Sequence, residues 1–114
     1  MKLHIIALLT FISATSFADP IGGTRTAKGL VRPGEVDVYS IPLRANELTR
    51  FVAQGDGDGD IDCFAYDDNG NLIGQDSDST DTCLIDIRSF WSATFKFVIK
   101  NNGSSTDSYF MKAY

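Results

Sequence analysis

The 114-residue sequence carries 15 acidic and 10 basic side chains, for a formal net charge of −5 at pH 7. A chain of this length forms one small domain at most. Its acidity is concentrated between Phe51 and Ile87, a stretch that contains aspartates but no lysine or arginine. Because binding to phosphate backbones requires clustered lysine and arginine, nucleic acid is excluded as a partner.

Residues 1–18 have the layout of a secretory signal peptide. Lys2 precedes the apolar run Ile5–Ile12, and Ala18 supplies a small residue at the cleavage position. The apolar run is shorter than the roughly 20 residues that cross a bilayer, so we expect no membrane span. The sequence therefore predicts a secreted or periplasmic mature chain of residues 19–114.

The only histidine of the chain, His4, lies in this predicted leader. A mature chain without imidazole lacks the usual general base near neutral pH, which excludes Ser-His-Asp and Cys-His nucleophilic sites. We therefore expect a protein that is not an enzyme.

Short runs of β-forming residues recur along the rest of the chain, separated by Gly, Pro, Asn and Asp. Strands at this spacing, with turn signals between them, are typical of an all-β sandwich or barrel. The predicted strands are Thr24–Val31, Val36–Leu43, Leu48–Gln54, Asp60–Tyr66, Leu72–Gln75, Thr82–Arg88, Ala93–Lys100 and Ser108–Ala113.

The fourth and fifth strands are joined by the clearest turn signal. Asn69-Gly70 lies between two β-rich runs, a pattern that predicts a hairpin. In the strand before it, Cys63 shares one face with Ile61 and Ala65, and Cys83 lies among aliphatic residues in the same way. An even cysteine pair in an exported chain predicts a disulfide, here Cys63–Cys83 in the core.

Three stretches together resemble the bacterial pre-peptidase C-terminal domain family. They are GEVDVYSIPLRA (residues 34–45), GDGDIDCFAYDDNGNLIGQDSDSTDTC (residues 57–83), and FKFVIKNNG followed by SYFMKAY. The resemblance implies a jelly-roll-like antiparallel β-sandwich over residues 19–114. It also implies a non-catalytic domain of a kind often found beside secreted peptidases, in which some members bind calcium or assist substrate binding. With no peptidase ahead of it, the chain is expected to be a free-standing copy.

Six aspartates are candidate ligands for Ca²⁺, the candidate cofactor. Ca²⁺ takes six to eight oxygen ligands, and short carboxylates alternating with glycine allow a tight backbone to surround it. The spacing is not that of an EF-hand, because Ile61 stands where that loop needs glycine. The alternative is that aspartate serves here as a turn residue and the side chains are solvated. The candidates fall in two turns that we expect to meet at one end of the sandwich: Asp58, Asp60, Asp62, Asp76, Asp78 and Asp81.

Two aromatic residues are candidate ligand-binding groups. Trp91 lies in a loop-like stretch and Tyr66 lies on the strand face opposite Cys63, so both could stack on sugar rings or anchor a protein partner. The alternative for Trp91 is that it closes one end of the core. The predicted function is an exported non-catalytic binding domain for a protein or polysaccharide surface. Two variants of that function stay open, an accessory or inhibitory partner of a secreted peptidase and a polysaccharide- or cell-surface-binding module.

Overall fold

The computed structural model describes residues 17–114, which form eight β-strands. The predicted strands are confirmed, with each end at the predicted residue or one residue from it. The signal-peptide prediction lies, except for Phe17 and Ala18, outside the described residues. The strands are β1 (Arg25–Val31), β2 (Val36–Leu43), β3 (Leu48–Gln54), β4 (Ile61–Tyr66), β5 (Leu72–Asp76), β6 (Thr82–Arg88), β7 (Ala93–Asn101) and β8 (Asp107–Ala113).

The strands form two four-stranded antiparallel sheets. One sheet has the order β1-β8-β3-β6 and the other β2-β7-β4-β5. This arrangement of eight strands in two sheets is the jelly roll. The predicted fold class, a jelly-roll-like antiparallel β-sandwich, is confirmed. Because β8 lies between β1 and β3, the last strand of the chain has neighbours that lie far from it in sequence.

The core follows from the period-two alternation of the strands. In β6 the residues Cys83, Ile85 and Ile87 are buried while their neighbours are exposed. Phe51 of one sheet stacks on Phe97 of the other with ring centroids 4.7 Å apart. The predicted Cys63–Cys83 disulfide is present, joins the two sheets inside this core, and closes a loop with a sequence separation of 20.

The two long sides of the sandwich are closed differently. Where β1 lies opposite β2, the Tyr109 hydroxyl donates to Asp37 Oδ2 at 2.5 Å and shares a second hydrogen bond with the Tyr39 hydroxyl. Gly29 of β1 is required there, because any Cβ would overlap the Tyr109 ring. On the opposite side, β5 lies beside β6 and Gly74 packs directly on Ile85 and Ile87. On this side, Gly74 thus brings β5 into tight contact with β6.

The start of the described chain packs on the β1-β8-β3-β6 sheet. The Phe17 ring lies edge-on to Tyr114 and beneath the Arg50 guanidinium, and the Ala18 N–H donates to the Leu48 carbonyl at 2.7 Å. Cleavage after Ala18, as the sequence predicts, removes these contacts. Within residues 17–114 no helix has the length and apolarity needed to cross a membrane.

Candidate functional site

Three aspartates from distant parts of the sequence meet at one end of the sandwich. Asp56 lies in the loop after β3, Asp81 directly precedes β6, and Asp107 is the first residue of β8. One carboxylate oxygen of each lies within 4.8 Å of the others, and their exposure falls from Asp56, which is exposed, to Asp107, which is buried. Because β3 has β6 and β8 as its two neighbours, the ends of these three strands converge. We call this group the acidic triad.

Backbone hydrogen bonds hold two of the three carboxylates in place. The Asp56 N–H donates to Asp107 Oδ1 at 3.1 Å, and the Gly57 N–H donates to Asp81 Oδ2 at 2.7 Å. The second oxygen of each carboxylate, Asp107 Oδ2 and Asp81 Oδ1, is buried and has no hydrogen-bond partner among the described residues. Buried polar atoms are nearly always satisfied, so an oxygen in this state indicates a partner outside residues 17–114, such as a water molecule or a cation.

Glycines make room for these carboxylates. Gly59 lies against Asp107 Oδ2, and a Cβ added there would also approach Asp81 Oδ1 to 3.0 Å. Gly55 lies in the same way against the carboxylate of Asp81. The alternation of glycine with aspartate in GDGDGD therefore has a geometric reason, since the backbone of this loop passes directly beside two acidic side chains.

The electrostatics of the triad follow from its burial. Loss of solvent, reinforced by the neighbouring Asp81 carboxylate, raises the pKa of Asp107 to about 7. The carboxylate of Asp58 lies within hydrogen-bonding reach of Asp56, which raises the pKa of Asp58 and lowers that of Asp56. Negative charge is thus disfavoured at this end unless a proton or a cation neutralises it.

A second acidic pair, Asp60 and Asp62, lies at the start of β4. Asn102 Nδ2 donates to Asp62 Oδ2 at 2.6 Å, and the Asn102 N–H donates to the Asp60 carbonyl at 2.8 Å. Asp60 Oδ1 and Asp62 Oδ1 are buried without a partner among residues 17–114. Burial is the main cause of the raised pKa of Asp62, and the charges of Asp60 and Asp78 add to it.

The six predicted ligands therefore do not form one set. Asp81 belongs to the acidic triad and Asp58 lies beside it, whereas Asp60 and Asp62 form the second pair, within electrostatic reach of Asp78. Asp78 accepts hydrogen bonds from the backbone and hydroxyl of Thr80. Asp76 accepts the Leu84 N–H at 2.8 Å, which covers part of the edge of β6.

Sequence reasoning missed two members of the triad, Asp56 and Asp107. Asp56 was available in the same GDGDGD run, but Asp107 lies 26 residues after Asp81 in a turn that shows no acidic clustering. The signal that could have found it is topological. In a jelly roll the eighth strand lies beside the third, so an acidic residue opening β8 falls next to the loop that follows β3.

The opposite end of the sandwich carries an aromatic groove between β5, β6 and the β6–β7 loop. The cavity has a volume of about 330 Å³. Phe90 and Trp91 are 80% and 43% exposed at its rim. Trp91 Nε1 donates to Asp68 Oδ1 at 2.9 Å, which fixes the indole ring. Tyr66 does not line this groove, so the two predicted aromatic residues are not brought into one site. The lining residues are Asp67, Ile73, Asp86, Ile87, Arg88, Ser89, Phe90, Trp91 and Phe95.

Comparison with known proteins shows similarity at the level of the fold. No protein-family model matches the sequence. No curated protein matches it either. Among solved structures, the pre-peptidase C-terminal domain of a collagenase from Bacillus anthracis superposes with a TM-score of 0.62 at 11% identity, over 80% of this chain and 89% of that chain.

Two further structures share the architecture. PliG from Aeromonas hydrophila, a periplasmic lysozyme inhibitor of g-type lysozyme, has a TM-score of 0.59 at 11% identity, over 87% of this chain and 90% of that chain. The Yersinia pseudotuberculosis-derived mitogen has a TM-score of 0.55 at 15% identity, over 82% of this chain and 85% of that chain. The predicted resemblance to the pre-peptidase C-terminal domain therefore holds at the level of the fold.

Proposed function

We propose that this protein is an exported, non-catalytic binding domain whose acidic end is stabilised by Ca²⁺. The observation that carries the proposal is the set of buried carboxylate oxygens without partners at that end. They are Asp60 Oδ1, Asp62 Oδ1, Asp81 Oδ1 and Asp107 Oδ2. Solvated turns, the alternative for these aspartates, would leave such oxygens exposed to water instead.

Ca²⁺ fits the chemistry of these residues. It is a hard cation that takes six to eight oxygen ligands from carboxylates, backbone carbonyls and water. The acidic triad provides three carboxylates within 4.8 Å of one another, and Asp58 adds a fourth beside them. A cation bound there would neutralise the negative charge of the three converging carboxylates.

The non-catalytic part of the proposal is supported by composition. Residues 17–114 contain no histidine, and both cysteines are joined in a disulfide. Two carboxylates of the triad, those of Asp81 and Asp107, lie against Gly55 and Gly59, so they stabilise the fold more readily than they act on a substrate. A disulfide of this kind forms in oxidising compartments, which is consistent with secretion or a periplasmic location.

The ligand that we propose is the surface of another protein. The likeness to a lysozyme inhibitor and to a domain of a collagenase concerns the fold, and it is compatible with an accessory or inhibitory partner of a secreted hydrolase. A polysaccharide or the cell surface is the competing ligand class. In either case, the surface of this protein that contacts the ligand would lie away from the acidic end.

The test is the melting temperature of residues 19–114 as a function of free Ca²⁺. A cation that binds the folded chain alone stabilises it by mass action, so the melting temperature should rise steadily with Ca²⁺ concentration and fall back on addition of a chelator. Mg²⁺, which prefers a smaller octahedral shell, should give a weaker response. A melting temperature indifferent to both Ca²⁺ and chelator would reject the Ca²⁺ site in favour of solvated turns.

A further inference from the structure

The aromatic groove is built by an irregularity in the sheet. Ala65 pairs with Gly74 but the next residue, Tyr66, pairs with Leu72, so Ile73 is an extra residue of β5. A β-bulge of this kind re-aims a side chain, and Ile73 lines the groove. Gly74 is in tight contact with Ile85 and Ile87 of β6, and the cavity lies between Ile73 and the end of β6 at Asp86–Arg88.

The polar side chains around the groove are already engaged within the chain. Asp86 accepts two hydrogen bonds from Arg50, at 2.8 and 2.9 Å, and Arg88 Nη1 donates to the Asn46 carbonyl at 3.0 Å. Asp67 accepts from Asn69 and Asn71 in the hairpin turn. A sugar needs convergent polar groups for its hydroxyls, whereas this groove offers mainly apolar area and aromatic rims.

The open edge of β6 runs along the groove. Among the described residues β6 pairs with β3 alone, and the Leu84 N–H points away from β3 because it donates to Asp76. Antiparallel hydrogen bonds alternate along a strand, so the backbone groups of Asp86 and Arg88 face the same edge. An extended polypeptide can add to such an edge through main-chain hydrogen bonds while its side chains enter adjacent pockets.

The charged residues around the groove determine which kind of extended polypeptide it favours. The two strands that flank the gap, β5 and β6, contain no basic residue except Arg88, and β4 contains none. Asp67 and Asp68 add negative charge at the hairpin beside Trp91. Since Asp86 is paired with Arg50, the two hairpin carboxylates outnumber Arg88, the one basic side chain that lines the groove, and a basic segment is complementary to them.

We propose that the groove binds an extended basic segment of a partner protein, which pairs with the Asp86–Arg88 edge of β6 and inserts one large apolar side chain between Ile73, Phe90 and Trp91. This inference rests on the proposed binding function and names its partner class and its surface. It does not depend on Ca²⁺, because the groove and the acidic triad lie at opposite ends of the sandwich.

Trp91 is the only tryptophan of the chain, so its fluorescence reports on the groove directly. The probe is a capped heptapeptide of alternating residues, Lys-Val-Lys-Phe-Lys-Val-Lys, titrated into residues 19–114 with excess Ca²⁺ at low salt. We expect a saturable change of Trp91 fluorescence, together with shifts of the Asp86 and Arg88 amide resonances in a ¹⁵N-edited NMR spectrum. Affinity should fall as salt is raised.

Two changes should each weaken this binding by about tenfold. One is Phe90→Ala, a change of an 80% exposed side chain that leaves the core untouched. The other is N-methylation of the peptide amides that would face β6, which removes main-chain donors, whereas N-methylation of the alternate amides should have no effect. Phe110→Ala, which alters an exposed phenylalanine on the outer face of the other end of the sheet, is the matched control and should bind as the wild type does.

Several outcomes would overturn the proposal. They are binding that is equal for the two N-methylated peptides, binding that is unchanged by Phe90→Ala, and stronger binding of the peptide with Glu in place of Lys. Saturation of the Trp91 signal by cello- or chito-oligosaccharides but not by the peptide would assign the groove to a polysaccharide. A melting temperature that does not respond to Ca²⁺ would count against the Ca²⁺ site and leave the groove untouched. Failure of the Ca²⁺ site can therefore be distinguished from failure of peptide binding.

Discussion

Asp107 and Asp81 each direct one buried carboxylate oxygen without a partner among the described residues toward the same loop, although Asp107 opens β8 and Asp81 precedes β6. Gly59 lies against both oxygens. This arrangement brings two carboxylates together, and loss of solvent is the main reason why the pKa of Asp107 is raised to about 7. The following predictions test how this end, and the rest of the fold, are stabilised.

Gly59→Ala should disrupt the acidic triad. The added Cβ would overlap Asp107 Oδ2 and approach Asp81 Oδ1 to 3.0 Å, so one carboxylate must move. We expect a loss of about 1–3 kcal/mol in the free energy of unfolding, the range for overpacked sites, measured by urea denaturation. We also expect the stabilisation by Ca²⁺ to disappear. A Gly59→Ala chain that responds to Ca²⁺ as the wild type does would show that the loop does not hold the cation.

The contribution of Asp107 to the stability of the metal-free chain should decrease as the pH rises from about 4 to about 7. Burial raises the pKa of Asp107 from 3.8 to about 7, so in this window the folded chain keeps a proton that the unfolded chain has released. Binding more protons in the folded state makes stability fall with rising pH. Ca²⁺ must displace that proton, so its affinity should rise over the same window.

The measurement is the melting temperature in chelator across this pH range, for the wild type and for Asp107→Asn. The difference between the two chains isolates this group from other carboxylates. We expect the wild type to lose stability relative to Asp107→Asn as the pH rises. An increasing advantage of the wild type would contradict the raised pKa of Asp107.

The disulfide should contribute a large share of the stability. Closing a loop with a separation of 20 residues stabilises a fold by about 3 kcal/mol in the chain-entropy model. The oxidised chain should resist alkylation and gain the mass of two hydrogen atoms on reduction, as expected for Cys63 joined to Cys83. Reduction should lower the urea midpoint, and the Cys63→Ala, Cys83→Ala double variant, which also loses two buried sulfur atoms, should unfold at a urea concentration no higher than the reduced chain does. Alkylation of either cysteine in the native, unreduced chain would contradict this.

The β4–β5 hairpin should depend on Asp67 more than on its neighbour. Asp67 Oδ1 accepts the N–H groups of Asn69 and Asn71 at 2.9 and 2.8 Å, and these bonds lower the pKa of Asp67. Asp67→Ala leaves those donors unpaired and should lower the melting temperature. Asp68→Ala, the matched control, loses only the hydrogen bond from Trp91. Equal effects of the two changes would show that the turn does not rely on the Asp67 carboxylate.

The strands and the disulfide could be predicted from the sequence because their signals are local. Alternation identified the buried faces around Cys63 and Cys83, and Asn69-Gly70 identified the hairpin, in which Gly70 has a φ of 84°. Each of these features depends on neighbours within a few residues or on a single pairing of two cysteines.

The acidic site could be predicted only in part, because it depends on how distant strands pair. Asp107 enters it through the position of β8 between β1 and β3. Asp62, predicted as a Ca²⁺ ligand in a turn, lies in β4, is 4% exposed and accepts a hydrogen bond from Asn102. Asp76 accepts a backbone N–H of β6, a role that acidity alone does not reveal. The aromatic groove depends in turn on the bulge at Ile73, for which the neighbouring Gly74 is only a weak sequence signal.

The central claim is that the acidic triad binds Ca²⁺, and calorimetric titration of residues 19–114 tests it most directly. The matched comparison is Asp107→Asn against Asp68→Asn, which make the same chemical change at opposite ends of the sandwich. We expect saturable Ca²⁺ binding by the wild type and by Asp68→Asn, and loss of that binding in Asp107→Asn. Because Asp107→Asn removes a carboxylate whose pKa is raised by burial, its chain should still fold and melt no lower than the wild type in chelator. Equal Ca²⁺ binding by the two variants, or none by the wild type, would contradict the claim.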